Sequence, residues 1–132
     1  RRHHEREGLC HVGHYFEFAM AFFAAHNYAA AATLLQKVTE LEPKDPRGYN
    51  NLAMAQEAGR EVEKARATLE AGLVHSPRHH GLNYNYAKLL LDLDRFQEAA
   101  GRLAVAAESD SENLDIWFYL GTALRRLGDH AG

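Results

Sequence analysis

Hydrophobic and polar positions along the chain are arranged with the spacing of amphipathic helices. In one stretch, apolar or small residues recur at positions i, i+3 and i+4, as in Tyr49, Leu52 and Ala53. A later stretch shows the same stripe at Trp117 and Leu120. Because side chains three and four residues apart lie on one face of an α-helix, each stretch predicts a helix with one apolar face.

The pattern predicts helices at 12–25, 28–41, 46–58, 62–75, 80–93, 96–109 and 114–127. Short turn signals follow alternate helices, at His26-Asn27, Gly59-Arg60, Asp94-Arg95 and Gly128-Asp129. Turns of this length make the paired helices antiparallel. The Gly and Asn residues are expected to adopt positive φ at these turns, because they do so at little cost.

Other residues mark the junctions between helix pairs. Pro43 and Pro77 are expected to stop a helix, because proline lacks the N–H and clashes with the preceding turn. Asp45-Pro46 predicts an N-cap followed by proline at the first helical position. Asn113 is expected to cap the last helix.

The same residue types return every 34 positions. The clearest series are Ala31, Ala65 and Ala99, and Leu35, Leu69 and Leu103. A third series is Tyr15, Tyr49, Asn83 and Trp117, whose aromatic rings are expected to fill gaps in the core. A stack of like units produces such a period because each unit meets only its neighbours, whereas a single compact core does not require it.

These motifs resemble the tetratricopeptide repeat. Trp117-Phe118-Tyr119-Leu120-Gly121 is similar to its first helix, and Phe96-Gln97-Glu98-Ala99 is similar to the start of its second helix, although Ser111 replaces the proline of the third repeat. The resemblance implies an all-α fold, a right-handed superhelical solenoid of antiparallel helix pairs with about three and a half repeats. A single domain, 1–132, would comprise a short N-terminal segment 1–11, repeats 12–45, 46–79 and 80–113, and a partial repeat or capping helix 114–132. Since the chain begins without methionine and stops inside a helical pattern, we expect a fragment of a longer protein.

The resemblance also implies a concave groove, lined by the first helices, that binds a peptide or a partner helix. The candidate groove residues lie one step off the core stripe: Phe16, Met20, Asn50, Asn51, Met54, Tyr84, Asn85, Lys88, Phe118 and Arg125. The first part of this series is apolar and the last part is basic. Asn51 and Asn85 are 34 residues apart, and their amides are expected either to grip a peptide backbone or to make only local hydrogen bonds. The exposed apolar residues would contact a partner or pack against a preceding repeat.

Some members of this family hold acidic chaperone tails in a clamp of Lys, Asn and Arg side chains. In one alignment the clamp positions hold Phe16, Met20, Asn51, Gly81 and Asn85. In the other alignment they hold Asn50, Met54, Asn85, Asp115 and Tyr119. Since one asparagine alone matches in each alignment, the clamp is not predicted.

The sequence therefore predicts a scaffold for protein–protein interaction that is not an enzyme. It shows no glycine-rich phosphate loop after a strand and no nucleophile motif around Ser or Cys. Two alternatives stay open: a substrate-recognition or regulatory arm of a larger multidomain enzyme, and a self-assembly element that stacks through the open ends of the solenoid.

Net charge, apolar runs and cysteine content limit the kinds of partner and compartment that the sequence predicts. The formal net charge is −3 and basic residues alternate with acidic ones, so nucleic acid is not an expected partner. The longest apolar run, 18–25, is too short for membrane insertion. Cys10 is the single cysteine, which favours a reducing compartment such as the cytoplasm. Although Cys10, His11 and His14 are metal-ligating types, their spacing is not that of a structural zinc site, and we predict no metal or cofactor.

Overall fold

The structure is a computed structural model that describes residues 2–131, with side chains described for residues 12–129. Its elements are α1 (Arg2–Ala24), α2 (Tyr28–Leu41), α3 (Pro46–Ala58), α4 (Val62–His75), α5 (His80–Asp92), α6 (Phe96–Ser109) and α7 (Leu114–Ala131). No strand occurs between residues 2 and 131, which confirms the predicted all-α class. The helices form two compact units, unit 1 (Arg1–His75, with α1–α4) and unit 2 (Ser76–Gly132, with α5–α7).

The predicted helix boundaries hold to within one residue except at two ends. The first helix begins at Arg2 rather than at residue 12, so most of the predicted N-terminal segment 1–11 is helical backbone. That segment lacks proline and contains several good helix formers, which allows the helix to extend. The predicted turn at Gly128-Asp129 is wrong because both residues lie inside α7. A single helical glycine costs only about 1 kcal/mol relative to alanine, and neighbouring helical residues can offset that cost.

The three turns between paired helices share one geometry. At His26, Arg60 and Asp94 the backbone takes φ values of 63°, 66° and 60°. The amide after each of them donates to the carbonyl five residues earlier, as Glu61 N does to Gln56 O at 2.8 Å. This bond closes a Schellman turn and satisfies carbonyl groups at the end of the helix.

The expectation that Gly and Asn adopt positive φ at these turns is wrong. Gly59 has φ −81° and Asn27 has φ −91°. The left-handed position falls one residue after Gly59 and one before Asn27, and its cost of about 1–2 kcal/mol is offset by the bonds that close the turn. Asn27 instead caps α2, where its side chain accepts a hydrogen bond from Ala30 N at 3.2 Å.

The predicted caps at the junctions are confirmed. Asp45 caps α3 by accepting from Arg47 N at 3.0 Å, and Pro46 occupies the first turn. Asn113 Oδ1 accepts from Asp115 N at 3.0 Å at the start of α7. These side-chain acceptors satisfy N–H groups that have no partner within the helix.

A side-chain hydrogen bond of one kind ties each of the helices α3, α5 and α7 to the junction before it. The donor and acceptor are six residues apart: Tyr49 Oη to Pro43 O at 2.7 Å, Asn83 Nδ2 to Pro77 O at 3.1 Å, and Trp117 Nε1 to Ser111 O at 2.6 Å. Tyr49, Asn83 and Trp117 belong to one 34-residue series. What they share is a side-chain hydrogen-bond donor and not an aromatic ring. This explains why an asparagine can stand where two neighbouring repeats carry aromatic residues.

The core of unit 1 is built from small residues facing leucines. A buried cluster contains Ala19, Ala31, Leu35, Leu52 and Ala55, from α1, α2 and α3. Since a methyl group allows helices to approach closely, this composition suits tight helix packing.

Two further contacts in unit 1 hold α3 against α2 and α4 against α3. Gly48 on α3 is buried so close to α2 that an added Cβ would lie 3.1 Å from Val38 Cγ1. Between α3 and α4, Thr68 Oγ1 donates to Gln56 Oε1 at 2.7 Å. This bond explains why the apolar stripe of α3 tolerates a glutamine.

In unit 2, α6 packs against both α5 and α7. Asn83 on α5 is fully buried and accepts a hydrogen bond from Arg102 Nη1 on α6 at 3.3 Å. The Arg102 guanidinium also lies over the ring of Tyr86, 5.2 Å from its centroid. On α7, Ile116 and Ala123 are fully buried.

Candidate functional site

The candidate residues of unit 1 lie on its two first helices, α1 and α3. Met20 and Met54 are both exposed and occupy the same position of the 34-residue period. Phe16 is half-buried and packs against the core cluster of unit 1, and Asn50 is also half-buried. The two methionines are therefore the candidate side chains of unit 1 with the most accessible apolar surface, and thioether side chains adapt readily to a partner.

Asn51 makes the local hydrogen bond that one interpretation of the sequence predicts. Its Nδ2 donates to Arg47 O, one helical turn earlier, at 3.0 Å. Within the described part of the chain, its Oδ1 accepts no hydrogen bond. A partner could therefore donate to this oxygen while the local bond stays in place. Asn85, in unit 2, is half-buried and has an interaction of its own.

Four side chains of α5 and α7 meet in unit 2, and we call them the Lys88 cluster: Tyr84, Lys88, Phe118 and Tyr119. Lys88 Nζ lies 5.1 Å from the ring centroid of Tyr84 and 6.0 Å from that of Tyr119. The two tyrosine rings meet edge to face, with centroids 5.8 Å apart. The rings of Phe118 and Tyr119 also meet edge to face, with centroids 5.3 Å apart. Cation–π attraction thus places the ammonium group against aromatic faces.

The charges around this cluster are unbalanced. No carboxylate of the described residues lies within 4.0 Å of Lys88 Nζ or of the Arg125 guanidinium, which is exposed on α7. Burial raises the pKa of the Tyr84 hydroxyl above its ordinary value, and the nearby Tyr119 and Asp115 add to the increase. Tyr84 is therefore neutral at physiological pH, and its surroundings are partly desolvated.

The structure brings together three of the predicted residues of unit 2, Tyr84, Lys88 and Phe118, and adds Tyr119 as the ring between them. Arg125 makes none of these contacts. Sequence reasoning did not select Tyr119, although the spacing of Tyr84 and Lys88 was a usable signal. A side chain four residues after a tyrosine lies on the same helix face, so a cation–π pair was foreseeable.

The outer face of α7 differs from the prediction. The sequence predicts that the Trp117 ring fills a gap in the core, but Trp117 is 47% exposed, and Leu124 is 53% exposed. Ile116 and Ala123 take that role because α6 lies on their side of the helix. In α5, the equivalents of Trp117 and Leu124 are Asn83 and Leu90, which are fully buried. The same register positions are therefore buried in α5 and open in α7.

Two surface depressions lie away from the predicted residues. One of about 590 Å³ in unit 2 is lined by Asp94, Arg95, Phe96, Gln97, Glu98 and Leu127. The other, of about 210 Å³ in unit 1, lies between the helices around Thr68 and Tyr49. Both are open to solvent, and neither contains a residue of the Lys88 cluster.

The described residues contain neither a cluster of metal-ligating side chains nor a membrane-spanning helix. Within residues 12–129, no three His, Cys, Asp or Glu side chains come together as metal ligands would. Cys10 and His11, which the sequence pairs with His14, lie outside the residues whose side chains are described. No helix in the described part of the chain is long and apolar enough to cross a bilayer.

A family model of the tetratricopeptide repeat matches residues 16–80 and 84–132, which is most of the chain. The chain belongs to the tetratricopeptide repeat family. The resemblance noted in the sequence is thereby confirmed. No curated protein is significantly similar to the chain in sequence.

Solved structures of tetratricopeptide domains are similar in fold at low identity. The first such domain of Spaghetti (RPAP3), bound to the HSP90 peptide SRMEEVD, has a TM-score of 0.81 and 15% identity, covering 89% of this chain and 93% of that one. The Sgt2 domain from Aspergillus fumigatus has a TM-score of 0.83 and 19% identity, covering 92% and 82%. The Yersinia enterocolitica type III secretion chaperone SycD, in complex with a peptide of the translocator YopD, has a TM-score of 0.76 and 17% identity, covering 86% and 92%. At these identities the likeness establishes the fold alone.

Proposed function

We propose that this tetratricopeptide repeat protein is a non-catalytic interaction module that binds an extended segment of a partner protein on the faces of its first helices. The observation that carries the proposal is the Lys88 cluster, in which aromatic rings, one of them 67% exposed, surround a lysine that makes no ion pair with any described carboxylate. Aromatic side chains are enriched at protein-binding hot spots.

Two further observations support the proposal. The exposed Met20 and Met54 recur at the same register position on the first helices of unit 1. Two proteins of similar fold, Spaghetti and SycD, are described as bound to peptides. The proposal extends this mode of binding to the present chain and leaves the partner to experiment.

Site-specific crosslinking tests the proposal on the intact protein. A photoreactive amino acid is introduced at Met54 on α3 and at Phe118 on α7. The matched control is Val74, an apolar residue on the second helix α4 that is 78% exposed. We expect crosslinks to a partner protein from each of the two first-helix positions and not from position 74.

The mapped segment is then synthesised and its affinity measured by calorimetry. Met54→Glu and Phe118→Ala should each weaken binding by about tenfold or more, as loss of a hot-spot contact does. Val74→Glu should leave the affinity unchanged. A segment that crosslinks to position 74 and ignores both first-helix variants would refute the proposal.

A further inference from the structure

The position of Lys88 limits what its ammonium group can bind. The side chain lies along two tyrosine rings, so part of its conformational freedom is already lost before a ligand arrives. No described carboxylate is within ion-pair distance of it, and an ammonium group has three donors to satisfy. A bound anion would therefore gain a preorganised cation without displacing an internal partner.

The surroundings strengthen that attraction. Tyr84 and Lys88 are both half-buried, so water is partly excluded from the cluster. Charge pairs at a partly desolvated site interact more strongly than pairs in open water. Asp115 is the negative charge that acts on Tyr84, and it opposes anion binding from the start of α7.

An apolar surface borders the cation. Phe118 is 67% exposed, and its ring is in edge contact with Tyr119, the same ring that lies below Lys88. Along an extended peptide, side chains two residues apart project to the same side with a separation of about 7 Å. Lys88 Nζ and the Phe118 ring centroid lie 6.0 Å and 5.3 Å from the ring centroid of Tyr119, so side chains on one side of an extended peptide could cover both.

This site differs from the chaperone-tail clamp of the family. The clamp positions in this chain are held mainly by neutral or apolar residues, and Lys88 is not one of them. Here an acidic side chain of a peptide would pair with Lys88, which the rings of Tyr84 and Tyr119 hold in place, and not with the Lys and Arg side chains of the clamp.

We infer that the Lys88 cluster binds an extended acidic peptide in which a Glu or Asp stands two residues from a large apolar residue. The carboxylate pairs with Lys88 and the apolar side chain covers Phe118. The inference rests on the proposed function, since it names the chemistry of the segment that the first helices would bind.

The test uses fluorescein-labelled peptides of Gly-Ser background that carry the motif Glu-Ser-Phe. Companion peptides replace Glu by Gln, replace Phe by Ala, place Glu and Phe side by side, or replace Glu by phosphoserine. Affinities are measured by fluorescence anisotropy with the full chain and with its Lys88→Met, Lys88→Arg and Lys64→Met variants. Lys64 is the control because it is an exposed lysine on α4 that already pairs with Glu61 at 2.6 Å.

With the unmodified protein, changing Glu to Gln should lower affinity about three- to tenfold, the range of an exposed to partly buried charge pair. The same change should have no effect with Lys88→Met, and Lys88→Arg should restore the discrimination. The Lys64→Met variant should behave as the unmodified protein does. Asp115→Asn should increase affinity for the Glu peptide, and the adjacent Glu and Phe arrangement should bind more weakly than Glu-Ser-Phe.

Several outcomes would overturn the inference. Equal binding of the Glu and Gln peptides, or equal loss of both in Lys88→Met, would show that the lysine only supports the tyrosine rings. Lysine-dependent preference for the phosphoserine peptide without preference for Glu would assign the site to phosphate instead. Absence of saturable binding of the Glu peptide up to about 1 mM would also reject it. In each case the proposed function stands or falls separately, by the crosslinks at Met54 and Phe118.

Discussion

At the scale of single residues, the fold depends on positions where only a small side chain fits. Ala31, Ala65 and Ala99 recur 34 residues apart, and all three are fully buried. These alanines lie on the second helices, where a larger side chain would force the helix pairs apart.

Replacing Ala65 by leucine tests this packing. Ala65→Leu should lower the free energy of unfolding by about 1–3 kcal/mol, because the added methyl groups have no space between α3 and α4. Urea denaturation followed by circular dichroism measures the change. The control is Ala71→Leu on the same helix, an exposed position that should change stability by less than about 0.5 kcal/mol. Equal stabilities for the two variants would contradict the packing argument.

A second residue-scale prediction concerns acid. Arg47 donates hydrogen bonds to the Asp45 carboxylate, with Nη2 to Oδ2 at 2.7 Å. This contact, partly opposed by burial, holds the pKa of Asp45 below its ordinary value of 3.8. A carboxyl group whose pKa falls on folding stabilises the protein above its ordinary pKa, and that contribution is lost as pH falls through the lowered value.

Asp45→Asn should therefore destabilise the protein at neutral pH, and this destabilisation should disappear as the pH falls through the lowered pKa of Asp45. Asparagine is an equally good N-cap, so the difference isolates the charge. Urea midpoints measured from neutral to acidic pH check the expectation, with Arg47→Gln as a partner variant that should lose the same acid dependence. A destabilisation by Asp45→Asn that is constant with pH would show that the ion pair has no role.

At the scale of elements, α7 presents two unlike faces. Ile116 and Ala123 face α6 and are fully buried, whereas Trp117 and Leu124 are largely open. We expect α7 to shield the apolar surface of α6 in the way that terminal repeats do in solenoids.

Deleting residues 114–132 should lower stability and promote aggregation, because the apolar surface of α6 would become exposed. Ile116→Ala makes the milder change and should cost about 2–5 kcal/mol. Leu114→Ala is the matched control, since Leu114 is 80% exposed and should be nearly neutral. Thermal unfolding and analytical ultracentrifugation measure both properties. A monomeric 1–113 chain of unchanged stability would contradict this role for α7.

At the scale of the whole molecule, the two units each present candidate side chains on their first helices. Those of unit 1 are chiefly apolar, and those of unit 2 combine aromatic rings with Lys88 and Arg125. Asn51 in unit 1 and Asn85 in unit 2 hold the same place in their repeats and are both half-buried. Their role in gripping a peptide backbone stays a prediction.

If a mapped partner segment uses these amides, Asn51→Ala and Asn85→Ala should each weaken its binding about two- to tenfold. This range corresponds to one neutral hydrogen bond of about 0.5–1.5 kcal/mol. The loss should not depend on the side chains of the segment, since only its backbone is contacted. Calorimetry with the segment and with a scrambled version that retains binding checks this, and Glu63→Ala on α4 is the control. Normal binding to both Asn variants would leave these residues with local hydrogen bonds alone.

The sequence by itself determined the helical class, the pairing of helices and most helix ends. These features depend on local chemistry that repeats every 34 residues, such as the Asp45-Pro46 cap and the Ala65 packing position. Because the signal recurs in register, each repeat supports the interpretation of the others. The sequence also named Tyr84, Lys88 and Phe118 among the candidate groove residues of the first helices.

Only the tertiary structure decided which face of α7 is covered, because burial of Ile116 or Trp117 depends on which neighbouring helix is present. It also placed the ring of Tyr119 between Lys88 and Phe118, a contact between helices that the period of one helix does not contain. Periodicity specifies which residues of a helix share a side, whereas burial and charge pairing depend on the elements packed against that side.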